Sequence, residues 1–282
     1  MKTKRQLFFQ YTLPHRLVTN ICGFLARVRV PLLKNRFIQL YKKIYHVDMS
    51  EALEQSNDAY DCLESFFIRK LKPESRPIDD NPKVIISPAD GAISEMGKIN
   101  ENLIIQAKKH DYSLEALLAN DHGAAKLLNN GEFATIYLAP KDYHRVHMPL
   151  DGMLEKMIYV PGKLFSVSPL TAENIPNLFA RNERVISIFN TEVGKVAIIL
   201  VGAMIVGSVT TSWSGRVMPS RFNTPQTTNY SQENIWIRKG EEMGYFSFGS
   251  TVIMLFPQNA LEWSSDLKAG SVVRMGQAMA QR

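Results

Sequence analysis

The sequence predicts an α+β protein in which N-terminal amphipathic helices, suited to docking on a membrane, precede a mainly antiparallel β core. Three observations carry this. In residues 1–47, apolar side chains recur at three- and four-residue spacing among ten Lys or Arg and no acid, as in helices with one apolar face. From Val84 onward, short runs rich in Val, Ile, Phe and Tyr dominate, the signature of strands. Helical runs followed by strand runs describe an α+β architecture.

The N-terminal pattern breaks near Pro14 and Pro31, since proline ends a helix or opens the next. Apolar faces mixed with Lys and Arg suit a helix lying among the headgroups of an anionic leaflet, where each basic group contributes about 1 kcal/mol. Arg16, Arg27 and Arg29 interrupt any run that could serve as a secretory signal. A mitochondrial transit peptide is also Arg-rich and acid-poor, but this segment has little serine and continues into further helical pattern. The whole chain carries +6 and this segment +10, so the remainder is mildly acidic. It shows no nucleic-acid module, and no nucleic-acid partner is expected. The helical pattern resumes at Ser50–Glu54 and Tyr60–Phe67. Residues 1–70 therefore read as a helical membrane-association region and 71–282 as a β-rich domain.

Pro73, Pro77 and Pro82 mark a connector between the two. Strands are expected at Val84–Ile86, Gly91–Ser94, Asn102–Ala107, Phe133–Leu138, Met153–Val160, Val185–Asn190, Lys195–Leu200, Met204–Val209, Met243–Phe246 and Thr251–Phe256. Short helices fit Ser113–Leu118, with Ser113 as N-cap, and Ala124–Leu128. The longest apolar stretch, Val196 to Val209, contains Gly202 and Gly207 and is too short to span a bilayer. Residues 211–233, rich in Thr, Ser, Asn, Gln and Pro, read as a long surface loop. Cys22 and Cys62 form no C-x-x-C pair, which points to a reducing compartment without a disulfide framework.

Gly249-Ser250-Thr251, between Tyr245–Phe248 and Val252–Phe256, is the chemically suggestive stretch. Glycine permits unusual dihedrals and close approach, so Ser250 Oγ could reach the Gly249 carbonyl, convert the amide to an ester and leave a pyruvoyl group at residue 250 after elimination. The tripeptide could equally start an ordinary buried strand. Self-cleavage needs a base, because an alcohol is a poor nucleophile at neutral pH. Of six histidines, His144 and His147 stand together just after a predicted strand, where sites are commonly lined. Either could instead be a satisfied core residue, and no third ligand at metal spacing accompanies them. Asp90 is a candidate to orient such a base, though Pro-Ala-Asp-Gly is also a good β-turn.

Six motifs make the chain resemble bacterial phosphatidylserine decarboxylases over nearly its whole length. They are Ser-Pro-Ala-Asp-Gly at 87–91, Tyr-His-Arg-Val-His-Met-Pro at 143–149, Gly-Lys-Leu-Phe-Ser-Val at 162–167, Asn-Leu-Phe-Ala-Arg-Asn-Glu-Arg at 177–184, Lys-Gly-Glu-Glu-Met-Gly at 239–244 and Phe-Gly-Ser-Thr at 248–251. The family usually has Leu where Phe248 stands, which keeps an apolar residue before the cut.

The resemblance implies a proenzyme in which Asp90 orients His147, His147 deprotonates Ser250, and the Gly249–Ser250 bond breaks into a β chain (1–249) and an α chain (250–282). The cofactor it implies is a covalent pyruvoyl group formed from Ser250, which takes the substrate amine as a Schiff base and serves as the electron sink for decarboxylation. Phosphatidylserine would become phosphatidylethanolamine and carbon dioxide. His144 is the expected proton donor to the substrate, and Phe165 and Ser166 the expected lining of the headgroup pocket. Expected partners are anionic membrane lipids and the paired α and β chains, in a family tending to dimers. The expected location is the cytoplasmic face of the cell membrane, held peripherally. A serine hydrolase using Ser250, His147 and Asp90 would want the absent Gly-x-Ser-x-Gly elbow; an uncut, non-catalytic lipid-binding protein is the other alternative.

Overall fold

The computed structural model describes residues 2–107, 110–205, 208–218 and 222–282. Three helices open the chain: α1 (Lys2–Thr12), α2 (His15–Ala26) and α3 (Pro31–Tyr45). Pro14 precedes the first residue of α2 without supplying a capping bond, and Pro31 takes the first turn of α3, where its missing N–H would be an orphan in any case. His46 closes α3 in the left-handed conformation, its N–H returning to the Lys42 carbonyl.

The faces of α2 are distributed unusually. It buries His15, Thr19, Gly23 and Ala26 against the body and turns Leu17, Ile21 and Phe24 outward. Leu32, Leu40 and Ile44 of α3 are likewise exposed. Exposed large apolar side chains on two successive helices are unusual for a surface turned only to water. Among the described residues no helix is long and apolar enough to cross a membrane.

Residues Ser50–Glu54 are not helical, contrary to the pattern. Ala52 instead bridges Leu71, with Leu53 N–H donating to Lys70 O and Lys72 N–H to Glu51 O; pairing with the 70–72 segment satisfies the backbone in place of a helix. The second expected helix is present as α4 (Leu63–Phe67).

The core is a nine-stranded antiparallel sheet. From one edge its strands run Gln226–Asn229, Gly152–Val160, Arg184–Thr191, Gly194–Val201, Ser250–Phe256, Glu132–Leu138, Gly91–Lys98 and Val272–Val273, with Trp236–Ile237 also beside Gly152–Val160. Ser250–Phe256 is central, every residue in it buried. It pairs Ser250 with Leu138 on one side and Thr251 with Val201 on the other. Gly131 shows how tightly the neighbouring strand enters: a Cβ there would stand 1.9 Å from the Phe256 carbonyl oxygen.

Among the described residues three smaller sheets accompany this one, the smallest pairing Leu103–Ala107 with His110–Ser113. Arg145–His147, read from sequence as the end of a strand, is itself a strand paired with Glu242–Phe246, which pairs with Val209–Thr211 and through it with Gly215–Arg216. Val84–Ile86 pairs with Ala278–Gln281, itself beside Glu262–Trp263. Of the expected strand Met204–Val209, Met204 and Ile205 form a turn, residues 206 and 207 lie outside the described residues, and only Val209 enters a strand. The expected 211–233 loop carries two short strands. Gln226–Asn229 gains an edge position by pairing with Lys156–Tyr159, and Gly215–Arg216 pairs with Thr210–Thr211; residues 219–221 lie outside the described set.

Candidate active site

Ser250 is the first residue of the central strand and is fully buried. Its Oγ has no hydrogen-bond partner. That alone does not single it out, because the hydroxyls of Thr135, Ser187 and Thr251 are also unpaired. What distinguishes Ser250 is its surroundings. A Cβ placed on Gly249 would lie 3.5 Å from the Leu138 carbonyl oxygen and 3.9 Å from His144 Nε2.

Those are ordinary van der Waals separations, and Gly249 is not among the residues with positive φ. Glycine's permitted unusual dihedrals thus do not take the form of a positive φ here; the chain bends at Ser247 and Phe248 and enters the strand at Ser250. Glycine's contribution here is the missing side chain, which leaves the approach to its carbonyl and to His144 open.

His144 is completely buried. Its Nδ1 lies 2.8 Å from the Asp142 carbonyl oxygen, which can only accept, so Nδ1 carries the proton and Nε2 a bare lone pair. Nε2 has no hydrogen-bond partner. Burial pushes the ring down to about 3; the Asp142 carbonyl opposes that, Arg69 adds to it, and the Leu138 carbonyl opposes it weakly. Phe67 packs on the ring at 4.1 Å between centroids and on Phe248 at 4.7 Å. Phe248, two residues before Ser250, and the histidine thus share one aromatic wall.

His147 ends the short strand Arg145–His147, which belongs to the sheet of Glu242–Phe246 and not to that of Ser250, and its N–H donates to the Pro88 carbonyl at 2.8 Å. Nδ1 donates to the Gly240 carbonyl at 2.8 Å, leaving Nε2 to accept from the Tyr143 hydroxyl at 3.1 Å. Burial lowers its pKa; the Gly240 carbonyl, Glu242 and Asp90 oppose this, and Arg145 reinforces it. Burial also holds the Tyr143 hydroxyl protonated, its pKa raised.

Asp90 is not hydrogen-bonded to His147. Its carboxylate accepts from Arg76 Nε at 2.8 Å, closely from Arg76 Nη2, and from the Met275 N–H at 2.9 Å. Arg76 also bonds Glu51 at 2.8 Å, and Glu51 accepts from Arg274 at 2.9 Å. The expected Asp90–His147 pairing is thus a through-space interaction, with Arg76 filling the carboxylate's near contacts. No hydrogen bond joins His147 to Ser250, whose Oγ is unpartnered.

Phe165 and Ser166 separate in the fold. An apolar cavity of about 380 Å³ lies between α2, α3 and the catalytic strand, and Ser166 lines it together with Tyr41, Tyr137, Phe248 and Gly249. Phe165 is buried and faces a different cleft, packing on Tyr11 and His15. Asn182 explains why the segments around 165 and 182 occur together. Its side chain accepts from the Phe165 N–H and donates to the Phe165 and Gly202 carbonyls.

Sequence reasoning missed Arg76, Tyr143, Phe67 and Arg69. Arg76 sat in a proline-rich connector with no pattern to flag it. Tyr143 directly precedes the histidine pair within the 143–149 motif, but spacing does not reveal that its hydroxyl reaches His147. Arg69 is buried, with Nη2 on the Lys141 carbonyl at 3.0 Å and its other nitrogens unpartnered.

The family described as phosphatidylserine decarboxylase matches residues 63–281, and one described as PSD matches residues 6–46. The chain is 50% identical over 281 residues to the phosphatidylserine decarboxylase proenzyme of Idiomarina loihiensis, covering 99% of this chain and 96% of that protein. It is 50% identical over 282 residues to the proenzyme of Pseudomonas putida strain F1, covering 99% and 98%. The proenzyme of Pseudomonas fluorescens strain Pf0-1 is 50% identical over 283 residues, covering 100% and 99%.

Proposed function

The chain belongs to the phosphatidylserine decarboxylase family, and from that premise we propose that it cuts itself at Gly249–Ser250 and then decarboxylates phosphatidylserine to phosphatidylethanolamine at a membrane surface. The observation that carries the self-cleavage is a buried, unpartnered serine hydroxyl heading the central strand directly after a glycine. Oγ attacks the Gly249 carbonyl carbon and the peptide nitrogen is released, giving an ester. Loss of the Ser250 Cα proton then expels the Gly249 carboxylate. Hydrolysis of the resulting enamine releases ammonia and leaves a pyruvoyl group at residue 250. Once formed, that group supplies an electrophilic carbonyl and an electron sink for the decarboxylation.

Two histidines divide the proton work. Putting a proton on His144 at neutral pH costs about 5 kcal/mol, given a pKa of about 3, which makes it a weak base towards an alcohol. His147 lies in the favourable fields of Glu242 and Asp90, so its imidazolium is better tolerated. We assign His147 as the base for self-cleavage, with Asp90 stabilising its charge through space. This requires the Tyr143 hydroxyl to turn away from Nε2. His144 is assigned to the substrate, because the anionic headgroup arriving beside it raises its proton affinity and equips it to protonate the decarboxylated carbon.

The fold suits a chain cut at this place. Residues 250–282 contain the central strand, paired on both sides, as well as Val272–Val273 and Ala278–Gln281, each paired with the larger fragment. The cut ends therefore stay docked as a two-chain unit. Docking at the cytoplasmic face of the cell membrane is supported by the outward apolar residues of α2 and α3 and the basic, acid-free N-terminal sequence. Ser166, in the cavity beside Gly249, is assigned to the lipid's path; Phe165, which lines the other cleft, is not. The test is release of labelled carbon dioxide from carboxyl-labelled phosphatidylserine vesicles. Wild type is expected to release it and Ser250→Ala not; equal release by both would overturn the reading.

A further inference from the structure

A second cleft, of about 880 Å³, lies in the elbow between α1 and α2 and is walled on the far side by Gly162–Phe165 and Arg181. It does not share Gly249 or the cavity that Ser166 lines. Its charged lining is wholly cationic: Arg16, Lys163 and Arg181 border it and no Asp or Glu does. Among the described residues none of the three is in an ion pair. Arg181 is held in place over the Phe165 ring at 4.8 Å and by the Pro176 carbonyl at 3.2 Å.

Two further features face the same space. The 12-residue helix α2 starts there with no acid in its first turn and no side-chain cap, so its amide dipoles present partial positive charge. His15, nine-tenths buried and lining the cleft, has an Nε2 without any partner. A cationic, uncapped concavity beside a buried imidazole whose Nε2 is unpartnered suits an anion. The rim decides which kind. Tyr11, Leu13 and Leu17 line the cleft while remaining well exposed, so the ligand's polar end enters beside surface that wants hydrocarbon.

We propose that the α1–α2 elbow is a headgroup site for an anionic phospholipid that does not react. Its phosphodiester sits against Arg16, Lys163 and Arg181, and its acyl chains run along the exposed residues of α2. The site holds the N-terminal helices in one orientation on the leaflet, separately from the substrate chamber. It stands or falls independently of self-cleavage and decarboxylation, so it is tested in the Ser250→Ala chain.

The probe is dihexanoyl phosphatidylglycerol kept below its micellar concentration, with binding followed by titration calorimetry and by the His15 ring resonances. Saturable binding that moves the His15 signals is expected. A Lys163→Gln/Arg181→Gln pair should weaken it about thirty-fold, from two lost basic contacts, with Lys163→Gln alone falling in between. An Arg29→Gln/Arg36→Gln pair, removing the same charge from exposed positions outside the cleft, should leave it unchanged. Equal losses in the two pairs would mean diffuse attraction and overturn the proposal. Inorganic phosphate binding as tightly as the lipid would overturn the lipid assignment.

Discussion

Acidification should destabilise this protein through His144 by a calculable amount. His144 is completely buried and its pKa is pushed from 6.5 down to about 3. Because the folded value lies below the unfolded one, the unfolded chain takes the proton first as pH falls. The contribution is whole above pH 6.5 and is lost progressively down to about 3. At about 1.4 kcal/mol per pH unit, lowering the pH from about 7 to 5 removes roughly 2 kcal/mol through this side chain alone. The assay is urea unfolding of uncut Ser250→Ala at both pH values, beside Ser250→Ala/His144→Gln. His147 and the carboxylates remain in both proteins, so the difference between their pH-dependent losses isolates His144. The double variant should lose about 2 kcal/mol less than its parent. Losses that agree within about 0.5 kcal/mol would refute the claim that His144 is held neutral by burial.

Other expectations concern roles and packing. His147→Ala should remain a single chain on a denaturing gel, whereas His144→Ala should cut itself yet release no carbon dioxide; full activity in His144→Ala would contradict the division. Arg76→Met leaves the Asp90 carboxylate without its principal partner and should cost about 3–5 kcal/mol in urea unfolding; a loss below about 1 kcal/mol would show that the network does not hold Asp90. Phe67→Ala removes a fully buried ring that touches both His144 and Phe248. It should cost about 3–5 kcal/mol and slow self-cleavage, and wild-type cleavage in a measurably destabilised variant would separate that wall from catalysis.

Much of this architecture follows from periodicity. The breaks at Pro14 and Pro31 are the true helix boundaries, and Val84–Ile86, Phe133–Leu138, Val185–Asn190 and Thr251–Phe256 each fall inside an observed strand, because long alternating or wholly apolar runs leave few other conformations. Elements made by their partners were illegible. Ser50–Glu54 has a helical pattern, yet its backbone pairs with residues 70–72. Arg145–His147 and Gln226–Asn229 are strands only because neighbours supply the other half of the ladder. At the site, the types of residue were readable but their partners were not. Asp90 beside Arg76, Tyr143 on His147 and His144 against Gly249 join positions distant in sequence or hidden within one motif, and spacing along a chain does not report such contacts. The α2 helix is a related case: its apolar residues suit a docking face, and the fold adds that Thr19 and Gly23 turn inward.

The most direct test is an intact mass measurement on the purified, denatured protein beside Ser250→Ala. Wild type should give two species, one ending at Gly249 and one beginning at residue 250. The smaller should be one ammonia lighter than a serine-initiated fragment and gain mass on borohydride treatment, while Ser250→Ala stays whole. A single uncut wild-type chain, folded and bound to anionic vesicles, would contradict the account.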